Sequence, residues 1–263
     1  MSLSALVLAG SRPGAPDAVA QAEGVSHKAL VGIDGRPMLE HVVASLRAAG
    51  IARCAVAGSD PEVEALARRL ECEWVPARAG PSASVAAGFA ALGAPLLVTT
   101  ADHALLQPEW VTDFVADTPS GSDVGILLAH REAIERAMPG SRRTYLRFAD
   151  GDWSGCNMFL LGTERAQAAI ATWSMVEADR KRPWRIAARL GLATLWAYWR
   201  GTLTLADTVA RLGNRLGFGA AAVAARDGLA AVDVDKPADL DDARRIAATR
   251  RAITCTASGC GST

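Results

Sequence analysis

Short apolar runs that stop at a glycine or an acid, each followed by a helical stretch, recur along the first half of this chain. SALVLAG (4–10), ARCAVAG (52–58), CEWVPA (72–77), APLLVTTAD (94–102) and DVGILLA (123–129) read as strands. Most are hydrophobic almost throughout rather than alternating, as strands buried on both faces of a sheet must be. Between them lie helical patterns. Met38, Val42, Leu46 and Ala49 recur at helical spacing behind Pro37, and PEVEALARRL, SASVAAGFAAL and a stretch opened by Gln107-Pro108-Glu109 follow later strands. A strand–turn–helix unit every ~25–30 residues predicts an open, mainly parallel sheet covered by helices. Ligands in such a sheet bind outside the carboxyl ends of its strands. The loops after Gly10, Val75 and Thr100 should therefore line one crevice.

The second half has a different texture. RTYLRFADGDWSGCNMFLLG holds two strand candidates, 143–148 and 156–161, separated by an Asp/Gly turn. Residues 163–216 read as helices broken at Pro183, Gly191 and Gly201, and five of the seven tryptophans fall between 153 and 199. AAAVAARDGLAAVDV suggests two extended segments across Asp227-Gly228, and KPADLDDARRIAATR a closing helix. No repeat or flexible linker demands a cut. The expectation is one α/β domain over 1–250, elaborated by helices at about 163–216 and closed by an antiparallel strand, with 251–263 a disordered tail.

Composition narrows the function classes. Half of the 263 residues are hydrophobic, enough for a large core. Lys+Arg and Asp+Glu are equal at 28, so no global field draws this chain to nucleic acid. All but three of the basic residues are arginine, a side chain suited to fixed bidentate contacts with phosphate or carboxylate and equally to ordinary surface pairs. Five cysteines at 54, 72, 156, 255 and 260 form neither a metal-ligand cluster nor a disulfide framework, which suggests a reducing, cytoplasmic setting. The opening MSLSALVLAG lacks a signal peptide's basic region, and no run reaches the ~18 apolar residues of a membrane span.

Polar chemistry gathers where the crevice is expected. The first strand runs into GSRPG (10–14), whose glycines allow close backbone approach and whose Arg12 suits phosphate; an ordinary flexible loop would look the same. It is neither GxGxxG nor a Walker loop. Lys28 stands alone before an apolar KALV run, either a solvated strand edge or a second phosphate contact beyond a polar excursion. Asp102 ends the most apolar central strand. Asp233 and Asp235, in VDVD, would share one side of a regular strand. One carboxylate from each of two such strands suits Mg²⁺, which takes oxygen ligands and keeps water. Helix capping explains Asp235 or Asp239 equally well and Asp102 less well.

In this order, ALVLAGSRPG, HKAL, GRPMLEHVV, GPSASVAAGF, LLVTTAD and VDVDKPADL resemble the MobA-like nucleotidyltransferases over roughly residues 4–129 and 229–248. The resemblance implies a Rossmann-like three-layer sandwich of the nucleotide-diphospho-sugar transferase type, with a mainly parallel mixed sheet. It also implies Mg²⁺-dependent transfer of a nucleoside monophosphate from an NTP, CTP or GTP, to a small phosphorylated acceptor. Ala9, Gly10, Ser11, Arg12 and Gly14 then match the loop that grips the NTP phosphates, and Lys28 the lysine that closes on them. Gly80, Ser82 and Ser84 match the segment beside the nucleobase. Asp102 matches the principal metal ligand and Asp233 the second acid, with Lys236 where the family has threonine. Arg12, Lys28 and Asp102 are the expected catalytic groups.

The acceptor side is less legible. Ser154 and Asn157, in the family's variable half, are the candidate acceptor-binding residues. Arg142, Arg143 and Arg147, like Arg180 to Arg185, read as solvated basic faces or as anion contacts. The Trp/Leu-rich helices suit core or a dimer surface better than a foot on an anionic bilayer. Monomer and homodimer both remain open. The alternative to an enzyme is a catalytically inactive nucleotide-binding or scaffolding protein that kept the pocket and lost turnover.

Overall fold

A computed structural model describes residues 2–11, 17–141, 143–178, 196–197 and 199–257. Strands β1 (Ser4–Ala9), β4 (Arg53–Gly58), β5 (Glu73–Pro76), β6 (Leu96–Thr100), β7 (Val124–His130), β9 (Gly151–Leu161) and β10 (Ala220–Ala224) form one sheet. Their order is β10-β7-β9-β6-β1-β4-β5, with β8 (Leu146–Phe148) paired to β9. β1 lies parallel to both β4 and β6, β4 to β5, and β7 to β10. The antiparallel strand expected to close the sheet is inside it. β9 fills the place between β6 and β7 and runs against both. A tiny antiparallel pair, β2 (Gly32–Ile33) and β3 (Arg36–Pro37), turns at Asp34-Gly35, both at positive φ as such tight turns require.

The apolar strands are continuous because each feeds two cores. Ala5, Val7 and Ala9 of β1 belong to one cluster, while Leu6 belongs to the other. On the first face pack α2 (Met38–Ala48), α3 (Pro61–Arg69), α5 (Pro108–Asp117), α6 (Arg131–Ala137) and α9 (Pro237–Ala257). On the second lie α4 (Pro81–Leu92) and α7 (Ala166–Ala178), through Val85, Phe89, Ala166 and Ile170. α8 (Leu205–Leu216) leads into β10 and supports the same side through Leu216 and Phe218. Pro61, Pro81 and Pro108 open their helices, where a missing N–H costs nothing. The helix-covered sheet expected from strand periodicity is present, in the three layers that the resemblance implies.

Local readings needed correction. The polar excursion between Ser11 and Lys28 contains α1 (Ala18–Glu23), capped by Asp17, whose carboxylate accepts from the Val19 and Ala20 N–H groups. Helix α9 continues to Ala257, so residues 251–257 are helical, not part of a tail. Most of RPWRIAARLGLATLWAYW lies outside the described residues. Asp227-Gly228 does not join two strands: Asp227 caps a 3-10 helix over Gly228–Ala231 by accepting from Leu229 N–H at 2.9 Å. Packing decides this, because a Cβ at 228 would sit 2.2 Å from the Ala133 carbonyl oxygen of α6. Gly228→Ala should accordingly lower stability by about 1–3 kcal/mol, read as a lower urea midpoint at unchanged slope. An unchanged midpoint would show that α6 yields freely.

Candidate active site

Parallel pairing places the carboxyl ends of β5, β4, β1 and β6 along one edge of the sheet. β9 begins at that edge, since Trp153 pairs with His130 at the end of β7. Beyond β6 the chain turns through Asp102, which is buried. Its carbonyl accepts from the Val234 N–H at 3.1 Å, which brings the 232–235 segment alongside. Asp102, Asp233 and Asp235 thus come together from distant parts of the chain.

Lys28 enters from the opposite direction. It begins a 3-10 helix over Lys28–Leu30, capped by buried His27, whose Nδ1 accepts from the Ala29 N–H at 3.0 Å. Burial pushes the His27 imidazole below its ordinary range, consistent with this acceptor role. Lys28 Nζ lies 2.5 Å from Asp102 Oδ2 and 3.2 Å from Asp235 Oδ1, and donates to the Val234 carbonyl at 3.4 Å. Burial opposes the charged ammonium, but Asp102 and Asp235 outweigh it and raise its pKa above the usual lysine value. An ammonium therefore bridges two carboxylates at the carboxyl edge of the sheet.

Asp233 does not share that bridge. Arg143 forms an ion pair with its Oδ1, and Asn157 Nδ2 donates to Oδ2 at 2.6 Å. Burial raises the Asp233 carboxyl against the opposing pull of Arg143, and the Asp235 and Asp102 charges raise it further. Asn157 reaches it from an irregularity in β9. The register shifts between Ile126↔Phe159 and Leu128↔Gly155, and Asn157 takes φ 49°, in the left-handed region that asparagine tolerates better than most residues. VDVD is not a regular strand, and its acids part: Asp233 turns into the protein, whereas Asp235 is largely exposed.

The other expected site residues are placed less uniformly. Ala9 ends β1 buried, Gly10 and Ser11 follow it exposed, and a Cβ at Gly10 would meet nothing within 4 Å. Arg12 and Gly14 lie outside the described residues. Gly80 caps α4; Ser82 and Ser84 are buried in its first turn. Ser84 Oγ accepts from the Arg78 N–H at 2.9 Å and donates to the Gly80 carbonyl at 3.0 Å, so this hydroxyl holds the loop closed. Ser82 Oγ donates instead to Glu177 at 2.6 Å. Ser154 is buried in β9 opposite Ala129 and is not in the network joining Asn157 to Asp233. Sequence reasoning missed Arg143 as a partner of Asp233 and gave Glu177 no role. Neither stands in a recognisable motif.

Whether the arrangement suits a divalent cation can be judged from its donors. Asp102 Oδ1 is buried and has no hydrogen-bond partner, although Oδ2 is held by Lys28. An orphaned carboxylate oxygen at this depth is costly unless a further cation or donor meets it. Nearby stand two more carboxylates, balanced by only Lys28 and Arg143 among the described residues. No group of three or more His, Cys, Asp or Glu among the described residues is placed to hold a metal alone. One or two carboxylates are what Mg²⁺ typically takes from a protein, its other ligands being water and phosphate oxygens. Among the described residues no helix is long and apolar enough to cross a membrane.

The fold has solved counterparts. A hypothetical transferase from Thermus thermophilus is 33% identical, aligned over 91% of this chain and 100% of its own, with TM-score 0.78. A CMP:2-keto-3-deoxy-manno-octonic acid synthetase complexed with CTP matches at 18% identity and TM-score 0.56, over 95% of this chain and 100% of its own. A 2-C-methyl-D-erythritol 4-phosphate cytidylyltransferase from Thermus thermophilus matches at 19% and 0.51, over 94% and 100%. At such identities the last two speak to the fold alone. No protein of curated function matches the sequence. The model of the MobA-like NTP transferase domain covers residues 5–189, which is most of the chain. With that match the parallel sheet and the acidic carboxyl edge have one reading: the chain belongs to the MobA-like NTP transferase family and is a nucleotidyltransferase.

Proposed function

We propose that the protein transfers a nucleoside monophosphate from an NTP to a small phosphorylated acceptor in a Mg²⁺-dependent reaction. The observation that carries this reading is the bridge from Lys28 to Asp102 and Asp235 at the carboxyl edge of the sheet, with one Asp102 oxygen still unpaired. A phosphate oxygen of the acceptor attacks the α-phosphorus while the bond to the β-phosphate oxygen breaks, releasing pyrophosphate. No covalent protein nucleophile is needed, and positioning with charge stabilisation carries the catalysis.

Each residue then has a place. The backbone at Ala9, Gly10, Ser11 and Gly14, with Arg12, would hold the triphosphate. Lys28 would exchange its carboxylate partners for phosphate oxygens, keeping its charge throughout. Gly80, Ser82 and Ser84 would border the nucleobase. Asp102 and Asp233 would hold the metal, whose chemistry when bound is to neutralise charge on the phosphoryl oxygens and the leaving group. Arg143 and Asn157 each hold one oxygen of the Asp233 carboxylate, so Asn157 would serve the metal side more directly than the acceptor. Ser154 stays a candidate on the acceptor side.

The test is pyrophosphate release from each NTP, with and without Mg²⁺, against a panel of phosphorylated alcohols, sugars and polyols. Release that requires Mg²⁺ and one acceptor class supports the reading. Tight NTP binding with no release for any acceptor would make the chain a nucleotide-binding protein without turnover.

A further inference from the structure

Glu177 lies near the end of α7, which packs along α4. Its Oε2 accepts from Ser82 Oγ at 2.6 Å and from the Ser82 backbone N–H at 3.3 Å. Its Oε1 lies 2.2 Å from the point where a Cβ at residue 80 would stand, so only glycine there lets the carboxylate rest against the loop. No described residue donates a hydrogen bond to Oε1. The sequence expectation took Gly80 and Ser82 as neighbours of the base, but their close contacts in the folded chain are with this carboxylate.

We infer that Glu177 is a specificity residue that selects guanine, its anchored carboxylate accepting from the base edge. The inference rests on the proposed placement of the base beside Gly80 to Ser84. Guanine alone among the four bases offers two adjacent donors on one edge, N1–H and the 2-amino group, and Oε1, which no described donor meets, has its two lone-pair directions left to accept them. Cytosine and adenine each offer one amino group beside a ring-nitrogen lone pair that a carboxylate repels. Uracil offers a single N–H between two carbonyl oxygens. A site built to accept two hydrogen bonds also rejects a base lacking them, because its buried acceptor is left unpaired. The anchoring argues that Glu177 stays in place when nucleotide arrives. Expelling it would break a charge-assisted bond from Ser82, whereas guanine adds bonds to those already made.

The measurement is calorimetric titration of the full chain with GTP, ITP, CTP, ATP and UTP in Mg²⁺, without acceptor. GTP should bind at least about tenfold more tightly than the other three standard nucleotides, and ITP, which lacks the 2-amino group, about tenfold more weakly than GTP. That comparison needs no variant. Glu177→Gln should weaken GTP about tenfold or more, leave CTP within about threefold, and bring GTP and ITP level. Ser82→Ala should shift the same ratio in the same direction, because it removes the shorter of the two bonds that anchor the carboxylate. Equal affinity for all nucleotides in the parent would overturn the inference while leaving the nucleotide site standing. So would a Glu177→Gln variant that binds every nucleotide more tightly, which would make the carboxylate a plug. Failure of the parent to bind any nucleotide would overturn both this inference and the proposed function.

Discussion

Replacing Asp102 by Asn is expected to cut turnover by about 10²–10³-fold, the scale of losing one preorganised charge at a reacting phosphoryl group. The change keeps the side chain's size and removes its charge, in a residue already buried at the end of β6. Two effects act together. The oxygen left unpaired in the folded chain loses its attraction for a cation, and Lys28 loses its shorter ion pair, keeping only exposed Asp235. The loss should fall mainly on kcat and be partly recovered at high Mg²⁺. Asp233→Asn should act in the same direction. Asp235→Asn should cost less, because Asp235 is largely exposed and touches the site through Lys28 alone among the described contacts. Turnover over a Mg²⁺ titration, with folding checked independently, decides the order. Full activity in Asp102→Asn would remove the metal site and most of the mechanism with it; a larger loss at Asp235 than at Asp233 would exchange their roles.

The second large effect is on stability. Asp233 and Arg143 pair with only 15% of each side chain exposed. Asp233→Ala leaves the guanidinium in that environment without its partner, and an uncompensated buried charge of this kind typically costs about 3–5 kcal/mol. Asn157 loses its acceptor in the same change. Adding Arg143→Met should restore a good part of the loss, because two apolar groups of similar volume need no pairing. Urea unfolding of the parent, both single variants and the double variant reads this as a coupling between the two sites. Additive losses would mean that the pair is mere proximity, and Asp233 would then keep only its proposed metal role.

The alternation of apolar strand and helix, and the acid at the end of the central strand, are local properties of the chain. They were therefore legible in its order of residues. Strand hydrophobicity had to be continuous because helices cover both faces, and Pro61, Pro81 and Pro108 mark helix starts by chemistry that needs no partner. Lys28, Asp102 and the Asp233/Asp235 pair could be singled out for the same reason: each breaks an apolar pattern next to a strand or turn.

What they touch could not be read there. Lys28 and Asp235 are 207 residues apart, Arg143 and Asp233 90, and Ser82 and Glu177 95, and no local pattern carries a contact over such separations. The insertion of β9 between β6 and β7, the left-handed Asn157 and the 3-10 turn at Asp227-Gly228 likewise follow from what packs against them. Local periodicity determined the layers and named the acids. Tertiary packing decided which acid meets which cation, because burial and long-range pairing set the electrostatics of a site and neither is a property of a short stretch of chain.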